Sequence, residues 1–501
     1  MLVRPSEMKA AEEAAFARGI EAEALMEEAG AGIARVLEDH YPTPGRLRAY
    51  LGTGHNAGDA LVVARLLTEK GWHTELRFAS SSEDKLSPLT RKKLTEYQAP
   101  LPPARTGHHS GPLILLDGLL GIGARGPLRG PVRDLTREMN TLRDRKTASG
   151  LVAIDLPTGL DGETGQPDED ALRCDLTITL GFGKIGLVAD TATPYVGRLA
   201  HVPLPAIPAP ESAAAPESRL ITPGLLRPLH LRRPVDCYKT QAGRVAIVAG
   251  SVGLTGAAEL AARGALTAGA GLVSIHVPEA IYGILAGRCP AEIMVRPVAG
   301  DAWESLAHHP ADGLVIGPGL GSETTSGLTA FLEKENRPVV LDADALNHLA
   351  RNPERLAKAL SAGPRLLTPH PGEFARLFPQ AARLPTRLER ARQATSDVPI
   401  TLLLKGARSL IAEAGKPVGY NTTGHPGMAT GGMGDVLSGI CGALVAGGSS
   451  LHSAACLGSW LLGRGAEKAI LGGESGETLT PSSVIQHLNE AFRSLESPLF
   501  T

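Results

Sequence analysis

Three shortages narrow the field before any motif is read. Cysteine is scarce: Cys174, Cys237, Cys289, Cys441 and Cys456 are odd in number and form no CxxC pair. That argues against a disulfide framework or a structural zinc site and leaves buried, reduced thiols. An excess of one charge is missing too, with 50 Lys and Arg against 52 Asp and Glu. Such a balance supplies no electrostatic footprint for nucleic acid or an anionic membrane, so neither is expected as a partner. Long apolar runs are also lacking, because charged or polar residues interrupt each one before it could span a bilayer. The opening MLVRPSEMKAAEEAAF holds no apolar core of signal-peptide length, and the expected location is cytoplasmic. Aromatic residues, at 4%, offer little for stacking on ligands.

What is present is glycine, 59 residues in 501, well above the usual share of roughly 7%. Backbone approach to ligands is therefore where function is to be sought. The length is too great for one ordinary core and points to two domains. Apolar positions Ala15, Ile20, Leu25, Met26, Ile33, Val36 and Leu37 predict one or two amphipathic helices over residues 6–40. The period then changes: RLRAYLG, HTELRFA, LILLDG, GLVAIDLP and DLTITLG alternate with helix-like stretches, as in a doubly wound, Rossmann-like parallel sheet. Residues 203–217, PLPAIPAPESAAAPE, carry five prolines and read as a linker, placing one domain at 1–217 and the other at 218–501. The α/β pattern resumes with RVAIVAGS, LVSIHVP, GLVIGPGLG, PVVLDADAL, RLLTPHPGE and TLLLKGARSL, each run ending in a turn or glycine-rich segment. Ligands of open α/β sheets collect beyond the carboxyl ends of strands, so those segments are the candidate sites.

In the first half, YLGTGHNAGDALVVARLL (50–67) is a strand end, a glycine-rich turn and a helix whose first amides could hold phosphate. A GxG turn alone is weak evidence, since it also serves as a plain strand-to-helix connection. Two companions strengthen it: LLDGLLGIGARGPLRG (115–130), with Asp117 at a strand end, and LVAIDLPTGLDGETG (151–165), with Asp155 at another. These three segments, in this order and preceded by EALMEEAG (23–30), resemble the NAD(P)H-hydrate epimerase domain over roughly residues 5–205. The resemblance implies that His55, Asn56, Ala57, Gly58 and Asp59, together with Gly121, Ile122, Gly123, Ala124, Arg125, Gly126 and Pro127, contact a hydrated dinucleotide. It implies that Asp155 meets the reacting ring as the proton-moving group, and that K⁺ binds near Asn56, Asp117 and Thr158. The bland reading of Asp155 is a turn or capping carboxylate. His55, Ala57 and Thr158 stand where the family generally has Asn, Gly and Ser.

The second half carries NTTGHPGMATGGMGDVLSG (421–439), a glycine-rich loop running into an apolar helix with Asp435 at its start. Backbone donors and the helix dipole there favour charge developing on a transferring phosphoryl group, and Asp435 can accept the proton of an attacking hydroxyl. No Walker sequence occurs in the loop. This loop, with GSVGLTGAAELAARGALTAGAGLVSI (250–275), GPGLG (317–321), LDADAL (341–346), TPHPGEFARL (368–377) and KGARS (405–409), resembles the ribokinase-like superfamily and, within it, the ADP-dependent NAD(P)H-hydrate dehydratases over about residues 222–495. The resemblance implies that Ala257, Gly319, His370 and Asp435 touch the hydrated dinucleotide. It assigns Lys405, Gly406, Ala407, Arg408, Ser409 and Gly434 to the adenine nucleotide, ADP with Mg²⁺.

The expectation is a bifunctional repair enzyme acting on hydrated NADH or NADPH. One site interconverts the R and S forms; the other dehydrates the S form at the expense of ADP, releasing AMP and phosphate. The small-molecule substrate and the nucleotide are the expected partners, together with further copies of the chain in a homo-oligomer. The alternative is a ribokinase-like small-molecule kinase joined to a dinucleotide-binding domain without catalysis.

Overall fold

The computed structural model describes residues 1–80, 85–98, 111–124, 126–210, 216–298, 302–321 and 326–496. The chain separates into two compact units, Met1–Arg219 and Leu220–Thr501.

The first unit opens with helices Pro5–Ala17 and Ala22–His40, which bury Met8, Ala15, Ile33 and Leu37. Six parallel strands follow, ordered across the sheet as His73–Phe78, Arg46–Leu51, Leu113–Gly118, Gly150–Ile154, Leu176–Leu180 and Arg198–Val202. Strands such as LILLDG and GLVAI are buried throughout, because helices cover both faces of the sheet. Alternate side chains divide accordingly: Ile114, Leu116, Val152 and Ile154 enter one core, while Leu113, Leu115, Leu151 and Ala153 enter another. Arg46–Leu51 lies between the two strands that follow it in sequence, so the connections diverge at the carboxyl ends of Arg46–Leu51 and Leu113–Gly118. That reversal of strand order opens the crevice in which ligands of such sheets bind. Of the proline-rich stretch read as a linker, Leu204 and Ile207 are packed into the first unit's core, and residues 211–215 lie outside the described residues.

The second unit is built on a ten-stranded sheet. Its parallel part runs Ile293–Val298, Leu272–Pro278, Arg244–Val248, Gly313–Ile316, Val339–Leu341, Arg365–Leu367 and Thr401–Leu404. Leu410–Glu413 and Val418–Asn421 continue it antiparallel, and Ser218–Ile221 closes the edge. Strand order again reverses at Arg244–Val248, whose neighbours in the sheet, Leu272–Pro278 and Gly313–Ile316, both follow it in the chain. The turns at 249–254 and 317–321 therefore face each other across the second crevice.

Glycine decides how the helices sit on this sheet. Thr255–Thr267 and Met433–Ala446 meet backbone to backbone: a Cβ at Gly439 would run into the Ala261 carbonyl oxygen, and one at Gly264 would lie 2.7 Å from that of Val436. The two helix starts are thus held side by side at the crevice. Elsewhere Arg365, wholly buried, ties segment ends together by donating to the carbonyl oxygens of Leu332, Glu335, Arg337, Ala359 and Pro364. Burial holds its guanidinium down to about 10.

Gly439→Ala is expected to destabilise the second unit by about 3 kcal/mol, since the clash is with main chain and no rotamer relieves it. A lowered urea midpoint for that unit checks this, with the melting of the first unit unchanged.

Candidate functional sites

In the first unit the helix His55–Glu69 starts directly after Gly54, so residues 55–59 form its opening turn rather than a free loop. His55 is exposed, whereas Asn56, Ala57, Gly58 and Asp59 are buried. Ala57 packs in the core and Gly58 lies against Met26, so neither offers a side chain to a ligand. Asn56 donates through Nδ2 to the Leu120 carbonyl (2.9 Å) and keeps its Oδ1 for other partners. Asp117, fully buried at its strand end, accepts from the Thr158 hydroxyl and amide (both 2.8 Å) and from the Leu119 amide (3.1 Å). The Leu120 amide in turn donates to Thr158 Oγ1 (3.2 Å). Asn56, Asp117 and Thr158 are thereby brought into one network. Burial pushes the Asp117 carboxyl up to about 6, against the pull of these hydrogen bonds.

Asp155 follows the strand Gly150–Ile154 in a left-handed conformation, φ 65°, which a non-glycine residue adopts at a cost. Its Oδ1 accepts from the Leu180 amide (3.1 Å), the Thr179 hydroxyl (3.3 Å) and the ammonium of Lys184. Lys184 is completely buried and also donates to the Leu180 carbonyl (2.9 Å). Two further acids feel this pair. Burial, with Asp155 and Glu12 nearby, pushes Asp59 well above the usual carboxylate range. Burial likewise raises Glu12, Lys184 opposing and Asp155 reinforcing. A cavity of about 400 Å³ lies between Pro5, Ser6, Lys9, Ala10 and Glu13 of the first helix and Ile122–Gly123 of the second glycine segment. Gly121 and Ile122 are half-buried, Gly123, Ala124, Gly126 and Pro127 are exposed, and Arg125 lies outside the described residues.

In the second unit, Gly432 at φ 97° turns the chain into the helix Met433–Ala446, placing Gly434 and Asp435 in its first turn. The opening amides of a helix have no acceptor within it and face outward. Asp435 is half-buried, and burial, with Asp342 and Asp344 adding to it and Lys405 opposing, pushes its carboxyl up to about 7. Lys405 follows the strand Thr401–Leu404 and donates to Asp342 Oδ1 (2.8 Å), with Glu373 Oε2 at 3.9 Å. Burial works against the Lys405 charge, yet Asp342, Glu373 and Asp435 outweigh it and hold the ammonium more firmly protonated. A Cβ on Gly434 would lie 3.2 Å from Lys405 Nζ, so the turn and the ammonium are neighbours.

The remainder of KGARS forms the hairpin turn. Gly406 and Ala407 are exposed, Arg408 is buried, and Ser409 donates to the Gly406 carbonyl (3.4 Å). His370 caps the helix Pro371–Leu377, its Nδ1 accepting from the amides of Gly372 (3.0 Å) and Glu373 (3.4 Å), which leaves Nε2 as the proton-bearing nitrogen. Gly319, at φ 57°, packs so closely on Ala257 that a Cβ would lie 2.8 Å from the Ala257 methyl. Gly319 and Ala257 are therefore together; Lys405, Gly434 and Asp435 form a second group. Sequence reasoning missed Lys184, Glu12, Asp342, Glu373 and Ser438. Asp342 and Glu373 stand inside motifs already singled out, LDADAL and TPHPGE; a carboxylate just past a strand end was the available signal for the first, and the capping spacing from His370 for the second.

Two family models match, one described as NAD(P)H-hydrate dehydratase over residues 245–488 and one as YjeF-related protein N-terminus over 22–186. The bifunctional NAD(P)H-hydrate repair enzyme Nnr of Gloeobacter violaceus is 36% identical over 492 residues, covering 92% of this chain and 94% of that protein. Its namesake from Moorella thermoacetica is 35% identical over 486 residues, covering 89% and 88%. Among solved structures, the ADP/ATP-dependent NAD(P)H-hydrate dehydratase from Bacillus subtilis co-crystallised with ATP/Mg²⁺ is 26% identical with TM-score 0.47, covering 56% of this chain and 100% of that one.

Lys184→Met leaves Asp155 and Glu12 without their buried cation and is expected to cost the first unit about 3–5 kcal/mol near pH 8. Acids whose folded pKa is raised penalise folding only when ionised, so the deficit should shrink as pH falls toward the ordinary carboxylate range. Urea unfolding of the variant and the parent at both ends of that range measures it.

Proposed function

The chain belongs to the bifunctional NAD(P)H-hydrate repair enzymes, and on that premise we propose how its two sites divide the chemistry. The protein epimerises hydrated NAD(P)H and dehydrates it back to NAD(P)H. Relatedness over both units sets the kinase alternative aside. We assign epimerisation to the first crevice and nucleotide-driven dehydration to the second. The observation that carries the dehydratase assignment is Asp435, raised to about 7 and placed beside Lys405 at a glycine-fronted helix start.

Hydroxide leaves a ring carbon poorly and phosphate leaves well. Asp435 accepts the proton of the substrate hydroxyl, whose oxygen attacks the terminal phosphorus of ADP as the bond to the bridging oxygen breaks, releasing AMP. Phosphate then departs with the carbon–oxygen electron pair, assisted by the ring nitrogen lone pair, and the adjacent ring carbon loses a proton to give NAD(P)H. Lys405 and the first amides of Met433–Ala446 face the phosphoryl oxygens; Ala257, Gly319 and His370 border the dinucleotide. Of the hairpin turn, Gly406, Ala407 and Ser409 line the nucleotide, and Arg408 supports it from its buried position. Mg²⁺, when bound, neutralises charge on the phosphates. Among the described residues no three His, Cys, Asp or Glu side chains converge as a metal cage. A cation arriving on the nucleotide suits that arrangement.

In the first crevice, the carbon bearing both hydroxyl and ring nitrogen inverts if the hydroxyl proton is removed, the carbon–nitrogen bond opens to an aldehyde with its electron pair going to the nitrogen, which takes up the proton, and the ring recloses on the other face as the proton returns to oxygen. Asp155 moves that proton, with Lys184 holding its carboxylate in place. His55, the opening turn of its helix and the 121–127 segment bind the dinucleotide. Asn56, Asp117 and Thr158 fit K⁺, because they gather an amide oxygen, a hydroxyl and a buried carboxylate that accepts from the neutral Thr158 hydroxyl and the Thr158 and Leu119 amides. When bound there, the ion would supply a positive charge to the first crevice.

Asp435→Asn should abolish nucleotide-coupled recovery of the reduced-nicotinamide absorbance and spare epimerisation, with Asp155→Ala doing the reverse; dehydration retained in the first variant would sink the assignment. Because the base works only when deprotonated, kcat/KM for dehydration should fall as pH drops through about 7, which a pH profile of the full-length protein reads directly.

A further inference from the structure

Behind the groups assigned to hydrate and nucleotide, one more ionisable side chain closes the second site. Asp342, 1% exposed, stands just past the strand Val339–Leu341, and both its oxygens are engaged. Oδ1 accepts from Lys405 Nζ (2.8 Å) and Oδ2 from Ser438 Oγ (2.7 Å). Ser438 lies one turn into the helix that carries Asp435, and its hydroxyl also meets the Gly434 carbonyl (3.0 Å). A Cβ at Gly434 would come within 3.6 Å of Asp342 Oδ2, so the helix start, the ammonium and this carboxylate are packed to contact. A strand end, a hairpin and a helix start, remote in sequence, are joined at one side chain.

Resting on the dehydration reading above, we propose that Asp342 is a positioning residue for that step. It acts through Lys405 and Ser438, holding the ammonium over the Gly434 turn where the transferring phosphoryl lies and fixing the helix that presents Asp435. Structure alone does not call for a charge there. Burying a carboxylate is unfavourable, and an amide of the same shape could accept from Lys405 through its oxygen and donate to the Ser438 hydroxyl, which keeps the Gly434 carbonyl as its own acceptor. Its negative charge has a further effect, because it discourages ionisation of the nearby Asp435 and so keeps that group basic enough to take a hydroxyl proton. The charged groups facing Asp435 are Asp342, Asp344 on the following helix and Lys405 on the hairpin; Glu373 faces Lys405 from the Pro371–Leu377 helix.

The test compares Asp342→Asn and Ser438→Ala in the full-length protein, following kcat and kcat/KM for ADP-driven dehydration across neutral pH. Asp342→Asn should move the acidic limb of kcat/KM down by about one pH unit and lower kcat by about tenfold or more, with KM for the hydrate little changed. Ser438→Ala keeps the charge but breaks one tie, so the limb should stay while kcat falls by about threefold to tenfold. A folded Asp342→Asn protein with the parental limb would overturn the proposal. If that variant does not fold, parental kcat in Ser438→Ala overturns it instead. Asp435→Asn, assayed alongside, separates the two levels: retained dehydration there rejects the functional reading itself, whereas a dead Asp435→Asn with an unmoved Asp342→Asn limb rejects only the role of Asp342.

Discussion

In each unit a lysine ammonium meets an aspartate buried at the carboxyl end of a parallel strand, Lys184 with Asp155 in one and Lys405 with Asp342 in the other. The rest of each site is arranged around that pair. A buried ion pair contributes little net stability once desolvation is counted, and removing one partner is strongly unfavourable. Such pairs are therefore better understood as fixing geometry than as holding the fold together. In both units the pair joins segments that follow strands at the carboxyl-end side of the sheet, the side on which ligands of such sheets collect.

The two pairs serve different ends. In the first unit Lys184 is enclosed and contacts the reacting carboxylate itself, so Asp155 is oriented by the cation it needs in order to be buried. In the second, Lys405 is partly open to the cleft, and the carboxylate that holds it is not the one proposed to react. Asp435 lies within the field of Asp342, Asp344 and Lys405, and burial sets the balance near neutrality. The acid at Asp117 reaches about 6 by a simpler route, burial without a charged neighbour, tempered by Thr158 and Leu119.

Much of this was legible in the sequence. The apolar runs marked the parallel strands because strands covered on both faces have no polar side to show, and glycine-rich segments marked their carboxyl ends. Asp117, Asp155 and Asp435 stood out because each stands at a strand end or opens a helix at such a segment. Lys184 and Ser438 were not, because nothing local distinguishes a buried lysine after a strand from a solvated one, or a serine in a helix from its neighbours. Their meaning depends on partners 29 and 96 residues away. Residues 55–59, assigned to the dinucleotide by resemblance, form the opening turn of a helix, which turns Ala57 and Gly58 toward the interior. Of the proline-rich stretch, Leu204 and Ile207 found a core to fill.

The contact between Thr255–Thr267 and Met433–Ala446 has a consequence for selectivity. With Gly264 and Gly439 at the crossing, the span between the two helix starts is set by covalent main-chain dimensions and not by side-chain rotamers. The cleft above them behaves as a mould of fixed width, and a bulkier guest is not accommodated by repacking. New specificities would then have to arise in the turns at 249–254 and 317–321, where length and sequence can vary without parting the helices beneath.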